Sequence, residues 1–85
     1  MRERSQDDKL YELLARAYSR NGKLLEQHQA QAEAYALQGN PGAAVEQIQL
    51  ALQNGRNASF YQLSTLEARM RELKKQDEEQ RKAGQ

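Results

Sequence analysis

The chain has 85 residues, of which 38% are hydrophobic and 29% charged, and its 13 basic and 12 acidic side chains leave a formal charge of +1. This length accommodates one small domain, and an apolar fraction below the usual ~45–50% predicts a thin core. The absence of cysteine excludes disulfides, cysteine-based zinc sites and thiol nucleophiles. The near-neutral charge argues against nucleic acid or an anionic membrane as the main partner, and no apolar run approaches the ~18 residues of a membrane span.

Three clusters of helix-breaking residues divide the chain into four helical segments. The clusters are Asn21-Gly22, Gly39-Asn40-Pro41-Gly42 and Asn54-Gly55-Arg56-Asn57, and the residues between them are mostly good helix formers. We therefore predict helices over residues 7–20, 23–38 and 41–53, and a fourth that begins after Asn57 or Ser59. Short turns make successive helices antiparallel neighbours, so the predicted fold is all-α with four antiparallel helices.

Each segment carries apolar residues at the spacing of one helix face. In the first segment these are Leu10, Leu13, Leu14, Ala17 and Tyr18; in the fourth they are Phe60, Leu63, Leu66, Met70 and Leu73. The residues predicted to be buried are Leu14, Tyr18, Tyr35, Ala44, Ile48, Ala51, Leu63 and Leu66. Because no large apolar residue follows Leu73, we divide the chain into a flank (1–6), a helical domain (7–74) and a polar helix end or disordered tail (75–85).

An internal period indicates stacked helical hairpins. Tyr18 and Tyr35 are 17 residues apart, and each precedes a glycine by four residues. A helix pair then occupies about 34 residues, the period of the tetratricopeptide repeat. The second and third segments fit this repeat best, since Ala32, Tyr35, Gly39, Ala44 and Ala51 supply small, aromatic and turn residues where it needs them. This reading predicts a right-handed stack of hairpins, although closure of the last helix over the end as a bundle stays open.

The stretch from Leu10 to about Leu73 resembles the C-terminal tetratricopeptide segment of bacterial periplasmic zinc metalloproteases similar to the β-barrel assembly-enhancing protease. The resemblance is carried by LYELLARAY, AQAEAYALQGNPGAAVEQI and FYQLSTLEARMREL. It implies a periplasmic accessory domain that contacts outer-membrane protein precursors, the barrel-assembly machinery or the parent protease domain. It implies no peptidase activity for this chain, which lacks the HExxH zinc helix. Composition alone does not distinguish the periplasm from the cytoplasm.

No catalytic, cofactor or metal site is expected. His28 is the only histidine, and zinc needs three or four ligands, so a locally hydrogen-bonded ring is the better interpretation. The basic residues of the fourth segment alternate with acidic ones, which is typical of a solvated helix and not of a nucleic-acid arm. Tyr11 and Tyr61 lie beside the main apolar faces, so we expect them to be exposed.

The expected function is protein–protein interaction through the concave face of the hairpin stack. The predicted lining residues are Lys9, Glu12, Arg16, Arg20, Gln29, Glu33 and Leu37. The two helical frames that give this set conflict, because the second helix cannot both close one repeat and open the next. The alternative is a structural or oligomerisation domain that pairs through Leu63, Leu66, Met70 and Leu73, and a second copy is a further candidate partner.

Overall fold

Four α-helices account for nearly all of the computed structural model, which describes residues 4–84, with side chains from Asp7 onward. The helices are α1 (Arg4–Arg20), α2 (Leu24–Leu37), α3 (Pro41–Gln53) and α4 (Phe60–Ala83). Residues 4–84 form no β-strand, and each helix packs against the next one along the chain. The predicted all-α class with four helices is confirmed. Within the same residues no helix combines the length and hydropathy needed to cross a bilayer.

The first two turns have the same construction. Gly22 and Gly39 have φ angles of 70° and 80°, the left-handed conformation that glycine adopts without steric cost. In the first turn the N–H of Lys23 donates to the carbonyl of Tyr18 at 2.9 Å, and in the second the N–H of Asn40 donates to that of Tyr35 at 2.9 Å. The 17-residue period seen in the sequence therefore recurs as a repeated helix-ending turn.

Side-chain caps define the starts of α3 and α4. The Asn40 side chain accepts from the N–H of Ala43, and Pro41 occupies the first turn of α3, where its missing N–H costs no helical bond. At α4, Ser59 accepts from the N–H of Gln62, whose side chain accepts from the N–H of Ser59. This capping box selects Ser59 of the two predicted starts.

Helices α1 and α4 both extend beyond their apolar residues. Helix α1 begins at Arg4, three residues before the predicted start. Helix α4 continues through Ala83, which corresponds to the polar helix end of the two alternatives predicted for this segment. Neither extension contains a helix breaker, so the helices have no local reason to stop. In α4 an ion pair of 3.0 Å between Arg81 and Asp77 also supports the exposed end. Residues 1–3 of the predicted flank, and Gln85, lie outside the described residues.

The core lies between α2, α3 and α4. Its largest fully buried side chains are Ile48, Leu66 and Leu73. The buried cluster consists of Leu25, Ala32, Ala44, Ile48, Ala51, Leu66 and Leu73. The predicted burial of Ala44, Ile48, Ala51 and Leu66 is confirmed, whereas Tyr18, Tyr35 and Leu63 are half-buried. Because alanine occupies three of these seven positions, the helices approach closely around a few large side chains.

The predicted burial of Leu14 is wrong. Helix α1 packs on α2 through the face that contains Ala15, which is 4% exposed, and this leaves Leu14 39% exposed at the edge of the contact between the two helices. Phe60, placed on the apolar face of α4, is likewise 85% exposed at the first position of that helix. Helical periodicity identifies an apolar face, but it does not show whether the chain supplies a neighbour to cover that face. In α1 a small alanine allows closer approach to α2 than the leucines do.

Candidate protein-binding surface

The outward face of α1 is apolar and uncovered. We call Leu10, Leu13, Leu14 and Ala17 the leucine stripe. Leu10 is 55% exposed and Leu13 is 57% exposed, although both belong to a helix whose opposite face is packed. Single exposed leucines are common on protein surfaces, but contiguous apolar patches on a monomer mark interaction sites. The leucine stripe is therefore the first candidate for contact with another molecule.

Beside the leucine stripe lies an open cleft of about 620 Å³, which is lined by residues of α1, α2 and α4. We call it the α1–α2–α4 cleft. Its lining residues are Asp7, Leu10, Tyr11, Leu14, Glu33, Ala36, Leu37, Arg69 and Gln76. A second hollow of about 320 Å³ between α1 and α2 shares Tyr11, Leu14 and Glu33 with it, so the two form one groove along the helices. Apolar side chains from two helices border this groove, with charged groups at its base.

A bidentate ion pair joins two walls of the cleft. Arg69 Nε donates to Glu33 Oε2 at 2.9 Å, and Arg69 Nη2 donates to Glu33 Oε1 at 2.9 Å. A third bond of 3.0 Å from Nη1 to Glu72 holds the guanidinium on its own helix. The hydrogen bonds to Glu33 raise the pKa of Arg69 further above its already high value, so this group stays charged. The pair fixes α4 against α2 and presents a rigid polar base to the cleft.

A row of basic side chains follows one edge of the leucine stripe. Lys9, Arg16 and Arg20 are exposed, and a helical projection places all three on the same side, with Asp7 on the other. We call these three residues the basic row. Among the side chains that the structure describes, none of the three forms an ion pair. Their charges are thus available to a partner that lies along α1.

The predicted lining residues are distributed over several surfaces of α1 and α2. Glu33 and Leu37 line the α1–α2–α4 cleft, and Gln29 lines the hollow that continues it. Glu12 and Arg16 lie on the other side of α1, in a polar cleft of about 260 Å³. Glu12 also accepts a 2.9 Å hydrogen bond from Gln38.

Two members of the predicted set, Lys9 and Arg20, are exposed on α1 outside these clefts. The structure therefore divides the predicted set into two groups. Lys9, Glu12, Arg16 and Arg20 lie on the side of α1 away from the α1–α2–α4 cleft, whereas Gln29, Glu33 and Leu37 of α2 line that cleft or the hollow that continues it. They do not form one continuous lining.

Sequence reasoning missed two parts of this surface. It predicted burial for Leu14 and placed Leu10 and Leu13 on the same apolar face, because their spacing is that of a packed face. It also gave Arg69 no role, since Glu33 lies 36 residues away and nothing local in the sequence indicates that pairing. Tyr61 is 79% exposed, as predicted, whereas Tyr11 is half-buried in the groove.

The other candidate sites have structural explanations. The Nδ1 of His28 lies 2.8 Å from Gln47 Oε1, a half-buried hydrogen bond that joins α2 to α3. Among the described residues no three acidic or histidine side chains come together as a metal site would require. On α4, Leu66 and Leu73 are 1% and 0% exposed, so the face considered for pairing with another chain is already used within this one.

Comparison of the chain with protein-family models, with curated proteins and with solved structures finds no match.

Proposed function

We propose that the chain is a non-catalytic protein-interaction module that binds polypeptides along α1. The observation that carries this proposal is the exposure of three leucines on α1, whose opposite face packs on α2 through Ala15. Complete burial of an exposed leucine is favourable by about 1.5–3 kcal/mol, and because these leucines are 39–57% exposed, covering each one contributes roughly half of that. The adjoining α1–α2–α4 cleft extends the apolar contact.

The proposed architecture is a right-handed stack of antiparallel, tetratricopeptide-like hairpins, with α2 and α3 as the most regular pair. Gly42 lies beside Asp77 and Gly55 beside Leu63, so residue numbers of α4 decrease as those of α3 and its following loop increase. Such pairing is what antiparallel helices produce. The repeated turns after Tyr18 and Tyr35 support a repeating unit of one helix and one turn.

We further propose that this module is the accessory domain of a periplasmic zinc metalloprotease that acts in outer-membrane protein assembly or quality control. The support is the resemblance of AQAEAYALQGNPGAAVEQI, within α2 and α3, to the tetratricopeptide segment of such proteases. On this proposal the partners are outer-membrane protein precursors, the barrel-assembly machinery or the protease domain, and catalysis belongs to another part of the assembly. The chain itself contributes one histidine and no cysteine.

Fluorescence anisotropy with an unfolded outer-membrane β-barrel polypeptide, kept soluble in dilute urea, tests this function. We expect saturable binding that weakens at least tenfold in Leu37→Glu, because that change puts a charge into the apolar part of the cleft. Leu50→Glu is the matched control, since Leu50 is an exposed leucine of α3 outside the cleft. Circular dichroism verifies that both variants fold. Absence of binding by the unaltered chain, or equal binding by the two variants, would overturn the proposal.

A further inference from the structure

We infer that the leucine stripe docks an amphipathic helix whose apolar face is bordered, on the side that meets the basic row, by acidic residues. This inference rests on the proposed function and specifies the chemistry of the partner.

The shape of the stripe favours a helical partner over an extended one. Leu10, Leu13 and Ala17 follow a ridge along α1, and at 1.5 Å per residue the ridge is about 10 Å long. Side chains at positions i, i+3 or i+4, and i+7 of a second helix pack between such ridges. An extended peptide binds mainly through backbone hydrogen bonds, and the backbone N–H and C=O groups of a helix are already paired within that helix. Two turns of a partner helix would therefore cover the stripe.

The charges beside the stripe determine which flank of the partner must be acidic. Lys9, Arg16 and Arg20 extend about 16 Å along one edge of the stripe, and none of them is in an ion pair among the described side chains. On the opposite edge the carboxylate of Asp7 lies beside Leu14 of the stripe. A helix with glutamates on the matching flank would place its charges beside the basic row while its apolar face covers the leucines. Charge complementarity of this kind selects the partner and its orientation.

A second copy of α1 is a poorer match for this surface. In an antiparallel pair related by a two-fold axis, like flanks face each other, so the two basic rows would be brought together. In a parallel pair the basic row of one copy would face the other flank of its neighbour, where Asp7 provides one carboxylate against three basic groups. The charge pattern of α1 thus favours a different, acidic helix over self-association.

The test uses two synthetic helical peptides that share a leucine face and differ only in one flank, which is glutamate in the first and lysine in the second. Fluorescence anisotropy measures the Kd of each at low and high salt. We expect the acidic peptide to bind with a micromolar Kd, because the contact between two helices is small. The lysine peptide should bind at least tenfold more weakly, because its charges repel the basic row. The ratio of the two Kd values should decrease in 0.5 M NaCl, because the screening length there is on the order of 4 Å and weakens the attraction between exposed charges.

Variants of the chain assign the contact to α1. Leu13→Glu should weaken the acidic peptide at least tenfold, since Leu13 is exposed on the stripe and does not line the α1–α2–α4 cleft. The double change Arg16→Glu with Arg20→Glu should reverse the preference, so that the lysine peptide binds more tightly. Leu50→Glu should leave both affinities unchanged. Circular dichroism of each variant confirms that the helices are retained.

Three results would overturn the inference. The first is equal affinity of the chain for the two peptides, and the second is unchanged affinity of the Leu13→Glu variant for the acidic peptide. The third is a concentration-dependent dimer of the chain, detected by sedimentation, that Leu13→Glu abolishes. The last result would identify a second copy as the occupant. If the unfolded β-barrel polypeptide binds in a manner sensitive to Leu37→Glu while neither peptide binds, the inference fails and the proposed function stands. If none of these ligands binds the unaltered chain, both fail.

Discussion

Arg69 shows how a single side chain couples helix packing to the shape of the α1–α2–α4 cleft. Its guanidinium donates two parallel hydrogen bonds to Glu33 across the gap between α4 and α2. Both side chains are less than one third exposed, so solvent screens the pair less than it screens the ion pair near the end of α4. The same contact forms the base of the α1–α2–α4 cleft, and its loss would alter the position of one cleft wall.

Arg69→Ala should lower the free energy of unfolding by about 1–2 kcal/mol, because Glu33 loses two charge-assisted hydrogen bonds in a partly buried position. Arg69→Lys should recover only part of that loss, since an ammonium group does not reproduce the bidentate geometry. Urea denaturation followed by circular dichroism measures both values. Arg71→Ala, which removes an exposed arginine of the same helix, is the control and should change stability by less than about 0.5 kcal/mol. Equal effects of the Arg69→Ala and Arg71→Ala variants would contradict a special role for the pair.

At the level of helices, local sequence signals predicted the turns well and the environments of α1 and α4 less well. Gly22, Gly39 and Ser59 act through their own backbone and side-chain chemistry, so their roles can be deduced from neighbouring residues. The exposure of Leu14 and the pairing of Arg69 with Glu33 depend instead on which helices meet in space. Apolar residues recur at helical spacing in both α1 and α3, but those of α1 (Leu10, Leu13, Leu14) are exposed whereas those of α3 (Ala44, Ile48, Ala51) are buried. The proposed binding surface is the part that sequence periodicity misassigned, because an uncovered apolar face and a core face have the same spacing of apolar residues.

Ser59→Ala should destabilise the chain by about 1 kcal/mol, since the change removes the acceptor for the N–H of Gln62 and breaks the capping box. Thermal unfolding monitored by circular dichroism would show this as a Tm several degrees lower, as expected for a domain of this size. Asn57→Ala is the matched comparison, because Asn57 was the other predicted cap and lies before the helix. A larger effect at Asn57 than at Ser59 would show that α4 is capped differently in solution.

In the molecule as a whole, stability is distributed unevenly between α1 and the other three helices. The buried cluster draws its residues from α2, α3 and α4. Among the described residues of α1, Ala15 is the buried apolar side chain, and an alanine contributes little apolar area. The helix that carries the proposed binding surface is therefore also the one that contributes none of its described residues to the buried cluster. Segments that bind a partner commonly combine an exposed apolar face with little contribution to the core, because side chains that contact a partner do not pack internally.

Hydrogen exchange measured by mass spectrometry should reveal this difference. We expect the amides of α1 to exchange at least tenfold faster than those in the middle of α3, because α1 separates from α2 without disrupting Ile48, Leu66 or Leu73. A saturating amount of the acidic helical peptide should slow exchange in α1 and change α3 little. Helix α3 serves as the internal control, since it is a helix of 13 residues that contributes three side chains to the buried cluster. Equal protection of the two helices in the free protein would mean that α1 is an integral part of the core, and the leucine stripe would then be the exposed side of a firmly held helix.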